Sequence, residues 1–167
     1  MQVFLGIGSN LGNRLAYLKN AIAEIQTNGI LLIKSSSVYE TAPWGYAQQP
    51  NFYNCVIEIN VPHRALEDLL FIFQGIENHY QRDREFRYGP RTLDIDILCC
   101  GETQLCTERL SIPHPRIAER AFVLKPWSEI APVFRLPGSH ITIQEMLDRL
   151  PAEDMPVVAA ALELFPT

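Results

Sequence analysis

The spacing of apolar residues in the first forty positions predicts two strands with a helix between them. Residues 1–9 form a short apolar run that ends at a polar, glycine-containing turn, which is typical of a buried strand. From residue 14 to residue 28 the apolar side chains recur every three or four positions, as on one face of a helix, and Asn13 can cap its start. Residues 30–39 are rich in β-branched and apolar residues and predict a second strand.

Two further strands and a second helix follow a loop at residues 40–51. Residues 52–61 alternate strictly, so one face is apolar and the other carries polar side chains. Residues 66–80 carry a helical stripe of apolar side chains, and residues 92–100 alternate again after a charged loop at 81–90. The pattern therefore predicts a third and a fourth strand around a second helix.

The resulting order, βαββαβ, is typical of a ferredoxin-like α+β fold, with an antiparallel sheet and helices packed on it. Both helices should lie on one face and leave the other face open for a site. Residues 102–167 form a proline-punctuated C-terminal extension with weak helical patterns at 117–121 and 143–150. We find no internal repeat and no linker, so we expect a single domain over residues 1–167.

Composition narrows the possible functions. The 47% hydrophobic content excludes a disordered chain, and no run approaches the ~18 apolar residues of a membrane span. The net charge of −5 argues against a duplex nucleic-acid binder. The four cysteines form no CxxC pair, and residues 1–10 do not resemble a signal peptide. We therefore expect reduced thiols and a cytoplasmic location.

Asp94 and Asp96 are the sharpest chemical signal. Residues two apart in a strand point the same way, so the two carboxylates share a face. At a separation of roughly 6–7 Å they repel each other unless a cation lies beside them. Oxygen ligands on a rigid strand suit Mg²⁺, which fills its remaining positions with waters and substrate phosphates. A solvated polar face on an edge strand would show the same pattern, and the pattern alone leaves both interpretations open.

Basic residues cluster around this pair. Eight of the 14 Lys and Arg residues lie between residues 82 and 125, and seven of the eight are arginines, whose planar fork binds phosphate oxygens in pairs. Metal-binding carboxylates among arginines, on an acidic chain, indicate a polyphosphate ligand rather than a nucleic acid. No GxxxxGK[ST] motif occurs, which excludes a P-loop kinase. The eight residues are Arg82, Arg84, Arg87, Arg91, Arg109, Arg116, Arg120 and Lys125, with His114 among them.

A second candidate site lies on the third predicted strand. Alternation places Phe52 and Asn54 on the face opposite the apolar stripe. An aromatic ring and a side-chain amide together can hold a flat heterocycle, the ring by stacking and the amide by hydrogen bonds.

Four segments carry a family resemblance: GIGSN at 6–10, QPNFYN at 49–54, YGPRTLDIDI at 88–97 and IPHPR at 112–116. GPRTLDIDI is highly specific, and the segments occur in family order across most of the chain, to about residue 132. The sequence thus resembles the 6-hydroxymethyl-7,8-dihydropterin pyrophosphokinases of folate synthesis. The resemblance implies a monomer with a ferredoxin-like core that the C-terminal extension completes as a three-layer α/β/α sandwich.

The resemblance also implies the reaction: pyrophosphate passes from MgATP to the hydroxymethyl group of the reduced pterin, and AMP is released. Asp94 and Asp96 would bind two Mg²⁺ ions, and Arg82 and Arg91 would act on the phosphates. Residues 40–51 and 81–91 would be lids that exclude water. The implied ATP contacts are Gln74, Glu77, Arg84, Tyr88, Arg91, Ile97, Arg109, Ser111, His114 and Arg120. The implied pterin contacts are Gly8, Thr41, Ala42, Pro43, Trp44, Phe52, Asn54 and Phe122.

Three positions depart from the family pattern, Phe52, Tyr88 and Pro115, and each would change a contact rather than a catalytic group. Arg14, on the first helix, is expected to be dispensable. The expected partners are the two small substrates, without nucleic acid or membrane, and the sequence leaves open an association with other folate enzymes. The competing interpretation is a ferredoxin-like binding module. Its RNA-binding form lacks the required basic sheet and aromatic motif, whereas a regulatory small-molecule module remains open.

Overall fold

The computed structural model describes residues 1–43, 48–62, 64–80 and 89–162, with only the backbone of Asp154. The first hundred residues contain β1 (Gln2–Ser9), α1 (Arg14–Thr27), β2 (Leu31–Ser35), β3 (Val38–Thr41), β4 (Phe52–Asn60), α2 (Leu66–His79) and β5 (Asp94–Cys100). The C-terminal part contains β6 (Leu105–Cys106), β7 (Ser111–Ile112), α3 (Ala121–Ile130), α4 (Ile143–Leu147) and β8 (Val157–Ala160), with 3₁₀ turns at Ile117–Glu119 and Ala152–Asp154.

An antiparallel sheet forms the middle of the molecule. Its strands lie in the order β5-β1-β4-β3-β8, and β2 pairs with the same edge of β4 as β3 does. The central pair, β1 and β4, is in register along its whole length, from Gln2 opposite Asn60 to Ser9 opposite Tyr53. This arrangement confirms the predicted α+β fold with an antiparallel sheet.

The strand predicted at residues 30–39 is broken in two, and serines cause the break. Ser36 keeps one ladder bond through its backbone N–H to Val56 O, but Val56 N donates to the Ser36 hydroxyl instead of a carbonyl. The next N–H, of Ser37, donates to the carboxylate of Glu129 on α3. Serine side chains compete with the strand ladder in this way, so β2 ends and β3 begins.

Helices α1 and α2 lie together on one face of the sheet, as predicted. The core there combines the helical stripes with the inward side chains of β1, β4 and β5. Leu18, Ile22 and Phe73 are fully buried in it. The Asn13 side chain accepts a hydrogen bond from Ala16 N at 3.2 Å, which caps α1 as expected.

The expectation that the other face stays open is wrong where the C-terminal extension packs against it. Helices α3 and α4 cover it, and Trp127 packs against Phe4 and Phe134 with ring centroids 4.8 and 5.7 Å away. The implied three-layer α/β/α sandwich is thus present. Pro126 lies inside α3 and obscures its helical pattern in the sequence. None of the helices in the described ranges has the length and apolar content needed to cross a bilayer.

Candidate active site

The site is built on one row of residues that crosses three neighbouring strands. Gly8 of β1 lies opposite Asn54 of β4 on one side and opposite Asp94 of β5 on the other. Because opposite residues of paired strands share a face, all three lie on the side away from α1 and α2. Two strand spacings separate the outer members by about 10 Å. The row therefore places the amide of Asn54, the bare backbone of Gly8 and the carboxylate of Asp94 side by side.

A cavity of about 390 Å³ lies over this row, on the part of the sheet that α3 and α4 leave uncovered. Its size suits a small-molecule ligand. Eleven of the implied catalytic, ATP and pterin contacts line it: Gly8, Thr41, Ala42, Phe52, Asn54, Arg91, Asp94, Asp96, His114, Arg120 and Phe122. The fold thus gathers the carboxylate pair, several basic residues and the aromatic-amide pair into one space.

Gly8 keeps the floor of the cavity flat. A Cβ added at Gly8 would lie 2.6 Å from Asn54 Oδ1, closer than real Cβ contacts allow. The backbone conformation of Gly8 is ordinary extended strand, so space rather than dihedral angle requires glycine here. The absence of a side chain at Gly8 leaves the space in which the Asn54 amide oxygen lies.

One end of the cavity is suited to a flat heterocycle. Asn54 is buried and donates its Nδ2 to Thr41 Oγ1 at 2.8 Å, which holds the amide so that Oδ1 lies over Gly8 as an acceptor. Phe52 and Phe122 line the same cavity. Aromatic walls with a fixed acceptor can select a ring that carries N–H donors at its edge.

The other end carries two carboxylates, each paired with an arginine. Arg91 Nη2 lies 2.7 Å from Asp94 Oδ2, and Arg120 Nη1 lies 3.6 Å from Asp96 Oδ2. Arg116 adds a third guanidinium group, so the arginines outnumber the aspartates that line the cavity. Arg91 Nε is buried and has no hydrogen-bond partner among the described residues. Excess positive charge and a buried donor without an acceptor suit an anionic ligand.

His114 is held neutral beside these charges. Burial and then the positive charges of Arg120 and Arg116 lower the pKa of His114 to about 4. Its Nδ1 accepts a hydrogen bond from Arg116 N at 3.2 Å, so the neutral ring carries its proton on Nε2. His114 can therefore donate a hydrogen bond near pH 7 without adding charge.

Some implied ATP contacts lie away from this cavity. Gln74 and Arg109 line a second groove of about 770 Å³ between α2 and the segment 105–110. Glu77 does not share their exposed surface, because it is buried and accepts a hydrogen bond from Ile95 N at 2.7 Å. Gln74 and Glu77, three residues apart on α2, therefore do not present a common exposed surface.

The remaining predicted residues fall into two groups. Ile97 is buried in the core under α1 and α2, while Ser111 on β7 and Pro43 are half-buried and line neither the cavity nor the second groove. Trp44, Arg82, Arg84 and Tyr88 lie outside the described residues, which leave out residues 44–47 of the first predicted lid and residues 81–88 of the second.

Sequence reasoning missed two residues, one in the β1–α1 connection and one at the start of α1. Asn10 is buried and bonds to two separate loops, and Arg14 contacts both ends of the loop between β3 and β4. Neither belongs to a pattern with a periodicity, so only the three-dimensional contacts reveal them. The motif GIGSN included Asn10 but gave no chemical reason for it.

The two aspartates of the cavity suit an Mg²⁺ ion that binds phosphate oxygens at the same time. Asp94 and Asp96 supply carboxylate oxygens, the ligands that Mg²⁺ prefers. In the described part of the chain no cluster of three or more His, Cys, Asp or Glu side chains could hold an ion unaided. A site of two carboxylates leaves most of an octahedron to waters and substrate oxygens, as is usual for Mg²⁺ bound with a nucleotide.

Comparison with known proteins gives one consistent result. The sequence model of the 7,8-dihydro-6-hydroxymethylpterin-pyrophosphokinase (HPPK) family matches residues 4–132. A 2-amino-4-hydroxy-6-hydroxymethyldihydropteridine pyrophosphokinase of Bacillus subtilis is 45% identical over 128 residues, 76% of each chain. A protein of the same name from Methylorubrum extorquens is 40% identical over 153 residues, covering 89% of this chain and 93% of the relative.

The fold was also compared with solved structures. The structure of a Plasmodium falciparum HPPK-DHPS protein matches with a TM-score of 0.72 at 14% identity. The match covers 89% of this chain but 43% of that longer protein, so it speaks for the fold alone. With the family model covering most of the sequence, the chain belongs to the 7,8-dihydro-6-hydroxymethylpterin-pyrophosphokinase family, enzymes of the pyrophosphokinase step of folate biosynthesis.

Proposed function

We propose that the cavity binds 6-hydroxymethyl-7,8-dihydropterin at its Asn54 end and the triphosphate of MgATP at its Asp94 end. The observation that carries this proposal is the row Asn54–Gly8–Asp94. Its length of about 10 Å matches a pterin ring with its hydroxymethyl arm directed at a phosphate. The reacting atoms then meet over the β1–β5 side of the sheet.

The reaction is a displacement at the β-phosphorus of ATP. The hydroxymethyl oxygen forms a bond to the β-phosphorus and loses its proton, the bond from that phosphorus to the α,β-bridging oxygen breaks, and AMP departs with the bridging oxygen. Such transfers depend mainly on positioning and charge stabilisation. Most of the work of this chain is therefore to align the two substrates.

The aspartates are proposed as ligands of two divalent ions. When bound there, the ions neutralise charge on the phosphates and lower the pKa of the attacking hydroxyl group. Asp94 and Asp96 project from β5, and their chain neighbours Leu93, Ile95 and Ile97 are buried in the core, so both carboxylates have a rigid support. A rigid support preserves ligand geometry between turnovers.

The arginines link the two ends of the cavity. The guanidinium carbon of Arg91 lies 5.0 Å from the ring centroid of Phe52, and that of Arg120 lies 5.5 Å from that of Phe122. Each arginine thus contacts an aromatic wall of the pterin end while its fork faces the phosphate end. Both can bind phosphate oxygens, and the neutral His114 can donate one further hydrogen bond.

The test is to incubate the protein with MgATP and 6-hydroxymethyl-7,8-dihydropterin and to separate the nucleotides. AMP formed in equal amount to pterin pyrophosphate supports the proposal. ADP would indicate single phosphoryl transfer, and unchanged ATP with bound pterin would favour a regulatory binding module. ATP without pterin is the control and should stay intact.

The wider organisation also remains a proposal. We expect residues 1–167 to act as one monomeric pyrophosphokinase domain in the cytoplasm, without nucleic-acid or membrane partners. An association with other folate enzymes is supported by a relative in Chlamydia muridarum, 39% identical over 146 residues, that is named a folate synthesis bifunctional protein. Arg82, Arg84, Tyr88 and Trp44 stay predicted contacts, as do Gln74, Glu77, Ile97, Arg109, Ser111 and Pro43.

A further inference from the structure

Asn10, just after β1, bonds to both loops that border the cavity. Its Nδ2 donates to Gln49 Oε1 and to Pro50 O, each at 3.0 Å. Its Oδ1 accepts from Arg91 N at 2.8 Å, and its own N–H donates to Arg91 O at 3.1 Å. The residue is 2% exposed, so water has little access to replace these bonds.

Each loop that Asn10 contacts leads directly to one end of the cavity. Pro50 lies two residues before Phe52, on the segment that enters β4 and delivers Phe52 and Asn54 to the heterocycle end. Arg91 contacts Asp94 at the phosphate end. A shift of either loop relative to the other would therefore stretch a hydrogen bond to Asn10.

The chemistry of these contacts is specific to a short amide. One loop presents acceptors, Gln49 Oε1 and Pro50 O, and the other presents a backbone donor, Arg91 N. Only a side chain with a donor and an acceptor on one planar group satisfies both at once. Aspartate has the same shape but would turn an oxygen toward two other oxygens.

We propose that Asn10 is a positioning residue that couples pterin binding to ATP binding; the inference rests on the function proposed above. A substrate at one end fixes its loop, and the bonds to Asn10 then hold the other loop. The second substrate consequently meets a cavity that is already ordered. In energetic terms, each substrate raises the affinity for the other by the same factor.

The experiment measures that factor directly. The dissociation constant of the dihydropterin is determined by calorimetry with and without α,β-methylene-ATP and Mg²⁺, an analogue that resists cleavage at the reacting bond. We expect wild-type protein to bind the pterin about 5-fold more tightly or better when the analogue is present. The ratio of the pterin dissociation constant without the analogue to that with the analogue should fall toward unity in Asn10→Ala. The binding of each ligand alone should change much less.

Two variants separate coupling from stability. Asn13→Ala removes the N-cap of α1 in the same connection but touches neither loop, so it should lower the melting temperature and keep the wild-type ratio. Gln49→Ala removes one of the bonds and should reduce the ratio partway, which provides a reading even if Asn10→Ala does not fold. If the role of Asn10 were purely structural, Asn10→Ala would also lower the melting temperature and keep the wild-type ratio.

The outcomes are distinct. A wild-type ratio of unity, or a wild-type ratio that survives in Asn10→Ala, would overturn the coupling proposal. Were Asn10→Ala unable to fold, an unchanged ratio in Gln49→Ala would overturn it. Failure of wild-type protein to bind the pterin under any condition would instead contradict the proposed function and not the role of Asn10.

Discussion

At the scale of single residues, the proposed site depends most on Gly8 and on the two aspartates, Asp94 and Asp96. Gly8 leaves room for Asn54 Oδ1, which occupies the space of a Cβ, and among the described residues that line the cavity only the two aspartates supply carboxylate oxygens. Sequence alone predicts the aspartates from their spacing of two. It gives no such reason for Gly8, because the conflict arises with a residue 46 positions away that only strand register brings alongside.

Gly8→Ala tests the flat floor. The added methyl group should displace the Asn54 amide and raise the KM for the pterin about 10-fold, equivalent to ~1.4 kcal/mol, with the KM for ATP nearly unchanged. Gly75→Ala is the matched control, because a Cβ at that position of α2 has no neighbour within 4 Å. The control should keep normal kinetics and gain slightly in helix stability. Equal pterin affinities in Gly8→Ala and wild type would contradict the proposed floor.

Asp94→Ala and Asp96→Ala test the proposed metal ligands. Each should lower kcat by about 10²-fold or more, ~3 kcal/mol of barrier, because the phosphate charge is no longer neutralised. The exposed Asp148, directly after α4, is bonded to Gln144, and its replacement by alanine should leave kcat unchanged. Steady-state kinetics over a range of Mg²⁺ concentration provide the measurement. Near-normal turnover of either cavity variant at saturating Mg²⁺ would rule out its role as a ligand.

At the scale of elements, Arg14 stabilises the entry to the pterin end. Its Nη1 donates to Glu40 Oε1 at 3.1 Å and to Asn51 O at 2.8 Å, so it joins the end of β3 to the start of β4. Its guanidinium carbon also lies 3.7 Å from the ring centroid of Tyr53. The expectation that Arg14 is dispensable does not fit these contacts. The helical pattern placed it on α1 but carried no information about the loop it reaches.

We therefore expect Arg14→Ala to be detectable. Loss of two hydrogen bonds and the ring contact should lower the free energy of unfolding by about 1–2 kcal/mol and raise the KM for the pterin several-fold. Lys19→Ala, at an exposed position of the same helix, should change neither quantity. Chemical denaturation and steady-state kinetics measure the two effects. An Arg14→Ala protein as stable and active as Lys19→Ala would show that these contacts of Arg14 have no consequence.

The elements themselves were predictable where periodicity was strong. Helices α1 and α2 and strands β4 and β5 follow from apolar spacing, and β1 follows from its continuous apolar run, because each element directs apolar side chains into the core. The break between β2 and β3 was not, since Ser36 and Ser37 leave the strand pattern intact and act through Val56 and Glu129, far along the chain. Helix α3 was obscured by Pro126, and β8 is short, exposed and lies at a sheet edge.

At the scale of the whole molecule, the third layer closes the core and builds part of the site. Helix α3 begins beside Arg120 and Phe122, which line the cavity, and its buried Trp127 packs on the sheet through Phe4. Cys99 lies in this same core, where burial raises its pKa to about 12. Loosening this layer should therefore expose a thiol that the native protein protects.

Trp127→Ala tests whether this third layer protects the Cys99 thiol. The cavity left by the indole should lower the free energy of unfolding by about 3–5 kcal/mol and let a thiol reagent reach Cys99. Wild-type protein should react at Cys106, the exposed one of its four free cysteines. Phe71→Ala is the control, because that ring is 78% exposed and its loss should change stability by less than ~0.5 kcal/mol. Protection of Cys99 in Trp127→Ala equal to that in wild type would contradict the role of this layer.

The most direct test of the account is to locate the divalent ions themselves. Crystals grown with Mn²⁺ and α,β-methylene-ATP allow the ions to be identified by anomalous diffraction. We predict two peaks, each within about 2.1 Å of a carboxylate oxygen of Asp94 or Asp96 and in contact with the phosphates. Peaks elsewhere, or both carboxylates still paired with Arg91 and Arg120 beside a bound nucleotide, would contradict the proposed catalytic site.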